Sequence, residues 1–420
     1  MRITAICLVL LAVSGSQALA QTTDGASRRP VVVVTSALPG PAPTPPRIQT
    51  QEPVTLERQT ENPAIALPAT PQPAIRPVKP NVALAFNQIK ARIAEARRQF
   101  LSRPQPTALV ESDINNIVVK IAFLDLRTRQ IDTVSVTRSA FLTPYVGTFV
   151  ISESGRQFTV RTIRANGVNT PVNIIDDAGN AQLPLLVQYP YIRNGRFTET
   201  AYYVSTHPGL ITPEVVSAGQ YYVRNTIDLA RERLRQKGFS IDPKVADIAE
   251  RLAAVEHVDH LRFRTETHSE IYDDIYTLFA LNEGQTYRYA VSSAGAGGMV
   301  QMIPSTYRMV RSRFPSADLM PDFVEGMRDH INASQAMLLY MQMTWNDLRA
   351  NAVVQNALAE GIATPEQLMS AGYNSNPAKL PGYISRGGSA WTVLIPRETQ
   401  IYLQIYASLE RNVSMSPRTR

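Results

Sequence analysis

Apolar positions change their spacing twice along this 420-residue chain. Between residues 82 and 101 they recur every three or four positions, which predicts an amphipathic helix. The apolar positions of this helix are Val82, Phe86, Ile89, Ile93, Ala96 and Phe100. From residue 116 to about 205 they fall in short β-branched and aromatic runs, separated by turn signals such as Ser-Gly and Asn-Gly. These runs predict an antiparallel β domain of about six strands.

The predicted strands are 117–124, 131–137, 148–152, 158–163, 183–188 and 197–204. Helical spacing returns at Pro213, and the predicted helices there are 213–237, 243–256 and about 261–282. We therefore expect an α+β multidomain protein: a mainly helical C-terminal domain, preceded by a small antiparallel β domain and a Pro-rich tether. With 44% hydrophobic residues the chain can bury a core, which excludes a wholly disordered protein. The single Cys excludes a disulfide scaffold and a Cys-rich metal protein.

The first 20 residues are typical of a cleavable signal peptide. Arg2 precedes a short apolar run from Ile3 to Val13, and Ala18-Leu-Ala20 gives the small-x-small cleavage pattern. The run is shorter than the ~20 apolar residues that a spanning helix needs, and no later stretch is longer. We therefore predict a periplasmic or secreted protein without a transmembrane helix.

Proline and charge are both concentrated before the helical part. Thirteen of the 30 prolines lie between residues 30 and 80, which predicts an extended linker over 21–80. The net charge of +7 also arises before residue 261, because residues 261–420 are balanced, with 14 Lys and Arg against 14 Asp and Glu. We expect the basic tether and first helix to keep the protein near an anionic wall or membrane surface. We expect no nucleic-acid partner.

One carboxylate stands out near the centre of the helical part. Glu283 follows an apolar stretch, 271–281, and precedes a turn with glycines at 295, 297 and 298. Desolvation beside Phe279 and Leu281 would favour the protonated acid near neutral pH. By itself, a Glu at a helix end is more often a solvated surface residue.

The order of motifs after Glu283 resembles that of lytic transglycosylases of the soluble-lytic type. Their signature is Glu-Ser, then Ser-x-x-Gly-Ala-x-Gly about nine residues on, Leu-Met-Gln and Pro-x-Thr. Glu283 stands nine residues before Ser292, and Gln301, Pro304 and Thr306 follow in register. Three later segments resemble other family motifs: Asp329–Tyr340, Gly372–Pro377 and Ile395–Tyr402. Gly284 replaces the usual Ser, which puts the subsite preference in doubt.

The resemblance implies a lysozyme-like catalytic domain at 261–410, glycoside hydrolase family 23. Its substrate would be the peptidoglycan glycan. A single acid and base, Glu283, would cleave the MurNAc–GlcNAc β-1,4 bond and leave 1,6-anhydromuramoyl ends, with no cofactor. The residues implied to line the saccharide groove are Ser292, Met299, Gln301, Tyr373 and Asn374. For Met299 and Asn374 the alternatives are core packing and loop capping.

Two other functions stay open from the sequence: a hydrolytic muramidase on the same fold, and a non-catalytic peptidoglycan-binding scaffold. The remaining segments are a helix and β-rich domain at 81–210, a helical connector at 211–260 and a flexible tail at 411–420. The β domain carries no motif that we can name, and it is a candidate surface for other cell-envelope proteins.

Neither a second catalytic carboxylate nor a metal site is supported. Glu270, Asp273 and Asp274 precede Glu283 by nine or more residues, at least roughly 13 Å along a helix axis. That is too far for a carboxylate pair, whereas Asp318 and Asp322 cannot be placed. His257 and His260 are close in sequence, but two histidines without a third ligand make no zinc site.

Overall fold

The computed structural model describes residues 76–103, 117–193 and 195–419. The predicted signal peptide (1–20) and nearly all of the predicted linker (21–80) lie outside these residues. Within them, no helix has both the length and the apolar character needed to cross a membrane.

The β-rich part consists of two small antiparallel sheets. Its strands are β1 (Val118–Leu124), β2 (Ile131–Thr137), β3 (Gly147–Ile151), β4 (Gln157–Thr162), β5 (Val172–Asp176), β6 (Leu183–Arg193) and β7 (Arg196–Tyr203). The larger sheet has the order β2-β1-β6-β7, and the smaller has the order β3-β4-β5. All six predicted strands are confirmed to within a few residues, except that β6 runs five residues further. Strand β5 was missed, because five residues between turn signals give little periodicity.

The larger sheet is covered on both faces. Alternate residues of β1, Val119, Ile121 and Phe123, are buried in the cluster that also holds Phe158 and Ile174 of the smaller sheet. The intervening β1 residues, Ala122 and Leu124, are buried instead with the apolar face of helix α1 (Phe86–Ser102). Successive strand residues point to opposite faces, so this double coverage explains the nearly continuous apolar run of β1.

The rest of the chain is mainly helical, as predicted. After the short α2 (Arg138–Phe141), the helices are α3 (Pro213–Gln236), α4 (Pro243–Val255), α5 (His260–Thr265), α6 (His268–Asn282), α7 (Pro304–Arg313), α8 (Phe323–Arg328), α9 (His330–Ala350), α10 (Ala352–Ala359), α11 (Pro365–Asn374), α12 (Leu380–Gly387), α13 (Trp391–Leu394) and α14 (Arg397–Asn412). The predicted helix 261–282 is broken, because Glu266 adopts an extended backbone between α5 and α6.

Helices α3 and α6 pack closely enough to exclude any side chain at one position. A Cβ atom added to Gly219 of α3 would lie 1.9 Å from the backbone oxygen of Tyr276. Helix α6 also touches the β-rich part, since its Leu278 is buried with the two sheets and its Ala280 and Leu281 with α1. The described residues accordingly form one compact unit. The predicted segment boundaries near 210 and 260 fall at helix starts inside it.

The predicted connector and the predicted tail both belong to the helical core. Val245, Ile248 and Leu252 of α4 are buried in the largest apolar cluster. After α14 the chain is anchored by Arg418, whose side chain is only 4% exposed. The Arg418 guanidinium lies within 2.6 to 2.9 Å of three carboxylates, those of Asp228, Asp247 and Glu250. The expectation of a flexible tail at 411–420 was therefore wrong for the described residues.

Candidate functional site

A cavity of about 610 Å³ opens where helix α4 ends. Its wall is formed mainly by the end of α4, the glycine-rich segment (residues 292–302), the end of α11 and the start of α14, and α5, α7 and α9 contribute one residue each. The side chains with polar groups that line it are Glu256, His260, Ser292, Gln301, Thr306, Tyr340, Tyr373, Asn374, Ser375, Asn376, Glu398 and Tyr402.

Glu256 is a carboxylic acid in the wall of this cavity. It is the first residue after α4, and its backbone N–H donates to the carbonyls of Leu252 and Ala254. The buried Tyr402 of α14 donates its hydroxyl proton to Glu256 Oε1 over 2.5 Å. Among the described residues, none makes a hydrogen bond to Oε2 of Glu256. This oxygen is therefore available to a ligand in the cavity.

The surroundings of Glu256 favour its neutral form. Burial raises the pKa of the Glu256 carboxyl to about 8, against the opposing effect of the Tyr402 hydrogen bond. The negative charge of Glu398, on the same cavity wall, acts in the same direction as burial. The carboxylate at a helix C-terminus also meets the negative end of the helix dipole. Glu256 is therefore mostly protonated at neutral pH and can donate a proton to a bound molecule.

The glycine-rich segment is folded tightly opposite Glu256. Gly297 forms isolated antiparallel bridges to Val291 and to Met302. Gly298 has a φ of +66°, and a Cβ atom there would lie 2.2 Å from the backbone oxygen of Met327. Only glycine fits such a position. Gln301 has a φ of 46°, and its side-chain amide donates to the Gly298 carbonyl over 2.8 Å.

Four of the predicted groove residues line this one cavity. Ser292 and Gln301 come from the glycine-rich segment, and Tyr373 and Asn374 from the end of α11. Asn374 also accepts a hydrogen bond from Thr399 over 2.8 Å. Tyr373 donates its hydroxyl proton to the Val300 carbonyl over 2.6 Å.

Met299 lies in the core instead of the groove. Its side chain is 0% exposed, within the large helical cluster, and only its backbone carbonyl meets a polar partner, His257. An unbranched, polarizable side chain often fills such gaps in a core. The core alternative for Met299 is therefore correct.

Glu283 does not line the cavity. Its side chain is 55% exposed and pairs with Lys90 of helix α1, Nζ to Oε1 being 2.7 Å. Its neighbour Asn282 is fixed against the sheet, because the Asn282 side chain makes two hydrogen bonds to the backbone of Val204. The end of α6 is thus turned toward α1 and the β-rich part. The expected desolvation of Glu283 was wrong, whereas its catalytic role stays a prediction.

The histidines near the cavity form no metal centre. His257 stacks on Tyr287 and shares a hydrogen bond with the Met299 carbonyl, and His260 lines the cavity. Within the described parts of the chain, no three His, Cys, Asp or Glu side chains come together as metal ligands. Asp322, which the sequence could not place, caps α8 by accepting from the Glu325 N–H.

The sequence reasoning passed over Glu256, Glu398, Tyr402 and His260 as site residues. A signal for Glu256 was present, since it ends the apolar helix 243–255 just as Glu283 ends 268–282. The nine-residue spacing to Ser292 selected Glu283, because a spacing rule takes no account of where a residue lies in the fold. Comparison of the chain with family models, curated proteins and solved structures found no match.

Proposed function

We propose that this protein is an exported peptidoglycan lytic transglycosylase on a lysozyme-like fold, and that its catalytic acid is Glu256. One observation carries the proposal: a carboxyl group with a pKa near 8 lies in a cavity lined by hydroxyl and amide side chains. The motifs that resemble the family support the substrate class. All four of these segments contribute residues to this cavity, among them Ser292, Tyr340, Tyr373 and Tyr402.

In the proposed reaction, Glu256 acts first as an acid and then as a base. Its proton passes to the oxygen of the MurNAc–GlcNAc bond as the bond from C1 to that oxygen breaks. The muramoyl 2-acetamido group stabilises the oxocarbenium-like carbon from within the substrate. The Glu256 carboxylate then takes the proton of the C6 hydroxyl, whose oxygen bonds to C1. The product is a 1,6-anhydromuramoyl end, and no water is consumed.

The cavity offers suitable partners for such a sugar. Ser292, Gln301 and Asn374 present hydroxyl and amide groups that can both donate and accept hydrogen bonds to acetamido and hydroxyl groups. No Lys or Arg is among the residues that line it. An uncharged aminosugar chain therefore suits the cavity better than a polyanionic glycan does.

Hydrolysis on the same site is the second candidate, and Glu398 is the observation that favours it. This carboxylate lines the cavity that holds Glu256, and its charge acts on the Glu256 carboxyl. Most hydrolytic glycosidases use two carboxyl groups in one site. Glu398 would then take a proton from the attacking water.

Product analysis separates the two candidates. Purified sacculi are digested with the full mature chain, and the released muropeptides are examined by mass spectrometry. We expect 1,6-anhydromuramoyl ends, which are lighter than reducing ends by one water molecule. Reducing muramic acid ends would establish the muramidase instead. If no muropeptide is released while the protein still binds sacculi, the chain is a wall-binding scaffold and both candidates are wrong.

A further inference from the structure

His257, the residue directly after Glu256, ties the end of helix α4 to the glycine-rich segment. Its Nε2 lies 2.9 Å from the backbone oxygen of Met299. Its ring also lies flat on the ring of Tyr287, with centroids 3.3 Å apart and planes 4° from parallel. One side chain therefore contacts both ends of the loop that runs from α6 into the glycine-rich segment.

The carbonyls of this segment are held one after another. The Gly298 carbonyl accepts from Gln301, the Met299 carbonyl meets His257, and the Val300 carbonyl accepts from Tyr373. Of the three donors, Gln301 belongs to the segment itself and Tyr373 comes from α11. Of these three donors, only His257 comes from the end of α4, directly next to Glu256.

The partner of His257 fixes the state of its ring. A backbone carbonyl can only accept, so Nε2 must carry the proton in this hydrogen bond. Burial lowers the pKa of His257 to about 3, so the imidazole stays neutral through the working range of Glu256. His257 therefore keeps one charge state through that range, and its contribution is a fixed hydrogen bond and a stacked ring.

We infer that His257 is the positioning residue of this site: its hydrogen bond to Met299 and its stack on Tyr287 hold the glycine-rich segment at a set distance from Glu256. The inference rests on the proposed function, because it assigns to His257 the placing of the saccharide-binding residues Ser292 and Gln301 relative to the acid. A small displacement of these residues would slow the reaction strongly, since about 1 Å can lower the rate on the order of 100-fold.

A second histidine provides a matched control. His268 makes the same pair of contacts, since its Nε2 lies 2.8 Å from the Phe263 carbonyl and its ring stacks on Phe263 at 4.1 Å. Neither His268 nor Phe263 lines the cavity. His268 Nδ1 also lies 2.8 Å from the Ser408 hydroxyl, so substitutions at His268 remove at least as many contacts from the fold while leaving the site in place.

The experiment compares His257→Phe, His257→Gln and His268→Phe in the full mature chain, with soluble uncrosslinked glycan strands as substrate. Phe keeps a ring and loses the donor, whereas Gln keeps an N–H that can reach the Met299 carbonyl. We expect His257→Phe to lower kcat on the order of 10- to 100-fold with little change in KM. His257→Gln should recover most of kcat, and His268→Phe should retain it.

Equal kcat losses in His257→Phe and His268→Phe would overturn the inference, as would a His257→Gln variant no better than His257→Phe. Hydrogen–deuterium exchange of residues 290–302 gives a readout that needs no activity. We expect faster exchange in His257→Phe and near-normal exchange in His257→Gln. A wild-type chain that cleaves no glycan refutes the proposed function, whereas unchanged exchange in His257→Phe refutes the positioning role.

Discussion

Glu256 and Glu283 follow two apolar helices in the same way, yet they end in opposite environments. Glu256, after α4, lines a cavity and is held by the buried Tyr402. Glu283, after α6, is more than half exposed and pairs with Lys90. The difference comes from what covers each helix end. Helix α14 and the glycine-rich segment enclose the first, whereas α1 only borders the second. The local sequence places a carboxyl group after each helix, and tertiary packing determines whether that group is buried and protonated or exposed to solvent.

The largest expected effect comes from exchanging each carboxyl group for its amide. Glu256→Gln keeps the shape and removes the titratable proton, so we expect release of muropeptides to fall by about 100-fold or more. Glu283→Gln should leave release near that of the wild type, because that side chain faces solvent. Turbidity loss of purified sacculi measures both. The reverse ranking would return the catalytic role to Glu283.

A large effect on stability is expected at the far end of the helix that carries Glu256. Arg418→Ala leaves the buried carboxylates of Asp247 and Glu250 without their strongest partner. Breaking a buried pair in this way costs about 3–5 kcal/mol in the free energy of unfolding. Urea denaturation measures the loss, and Arg411→Ala, a change to an exposed residue of α14, is the control. Equal midpoints for the two variants would show that the tail contributes little.

The pH dependence of kcat/KM tests how the surroundings of Glu256 set its pKa. In the proposed mechanism Glu256 acts in its protonated form, so kcat/KM should fall as the pH rises through about 8, the pKa that burial gives to Glu256. Glu398→Gln should move this fall in kcat/KM to lower pH, since the charge of Glu398 raises the pKa of Glu256. Tyr402→Phe should move the fall in kcat/KM to higher pH, since the Tyr402 hydrogen bond lowers the pKa of Glu256. A fall in kcat/KM unmoved by either change would mean that another group titrates.

The smallest effect is expected for the ion pair of Glu283. Its two side chains are 51% and 55% exposed, so solvent screens their attraction. A double-mutant cycle with Lys90→Ala and Glu283→Gln should give a coupling free energy of about 0–1 kcal/mol at low salt. The coupling should weaken at higher salt. A coupling well above this range would indicate that α1 is held on the molecule chiefly by this pair.

Much of the fold could be predicted from periodicity. The amphipathic spacing of α1 and the alternation in β4 each reflect a face buried against a neighbour, and such patterns survive in a single sequence. The short strand β5 was missed because its five residues show little periodicity, and the break at Glu266 has no Gly or Pro to mark it. The docked Arg418 was missed because its three carboxylates lie 168 or more residues away.

The candidate site was predicted in part. The motifs found Ser292, Gln301, Tyr373 and Asn374, which do share one cavity. They did not find the acid in that cavity, because the rule counted nine residues back from Ser292. Glu256 shares the cavity with the glycine-rich segment although it lies 36 positions before Ser292, with α5 and α6 between them.

The central claim is that Glu256 is held as a neutral acid in the cavity at neutral pH. The most direct test is a carbon NMR titration of the chain labelled at its glutamate carboxyl carbons, with Glu256→Gln to assign the resonance. The account predicts one carboxyl that titrates near pH 8 and is missing from the Glu256→Gln spectrum. If the resonance that disappears in this variant titrates near the ordinary glutamate value, about 4.3, the claim is contradicted.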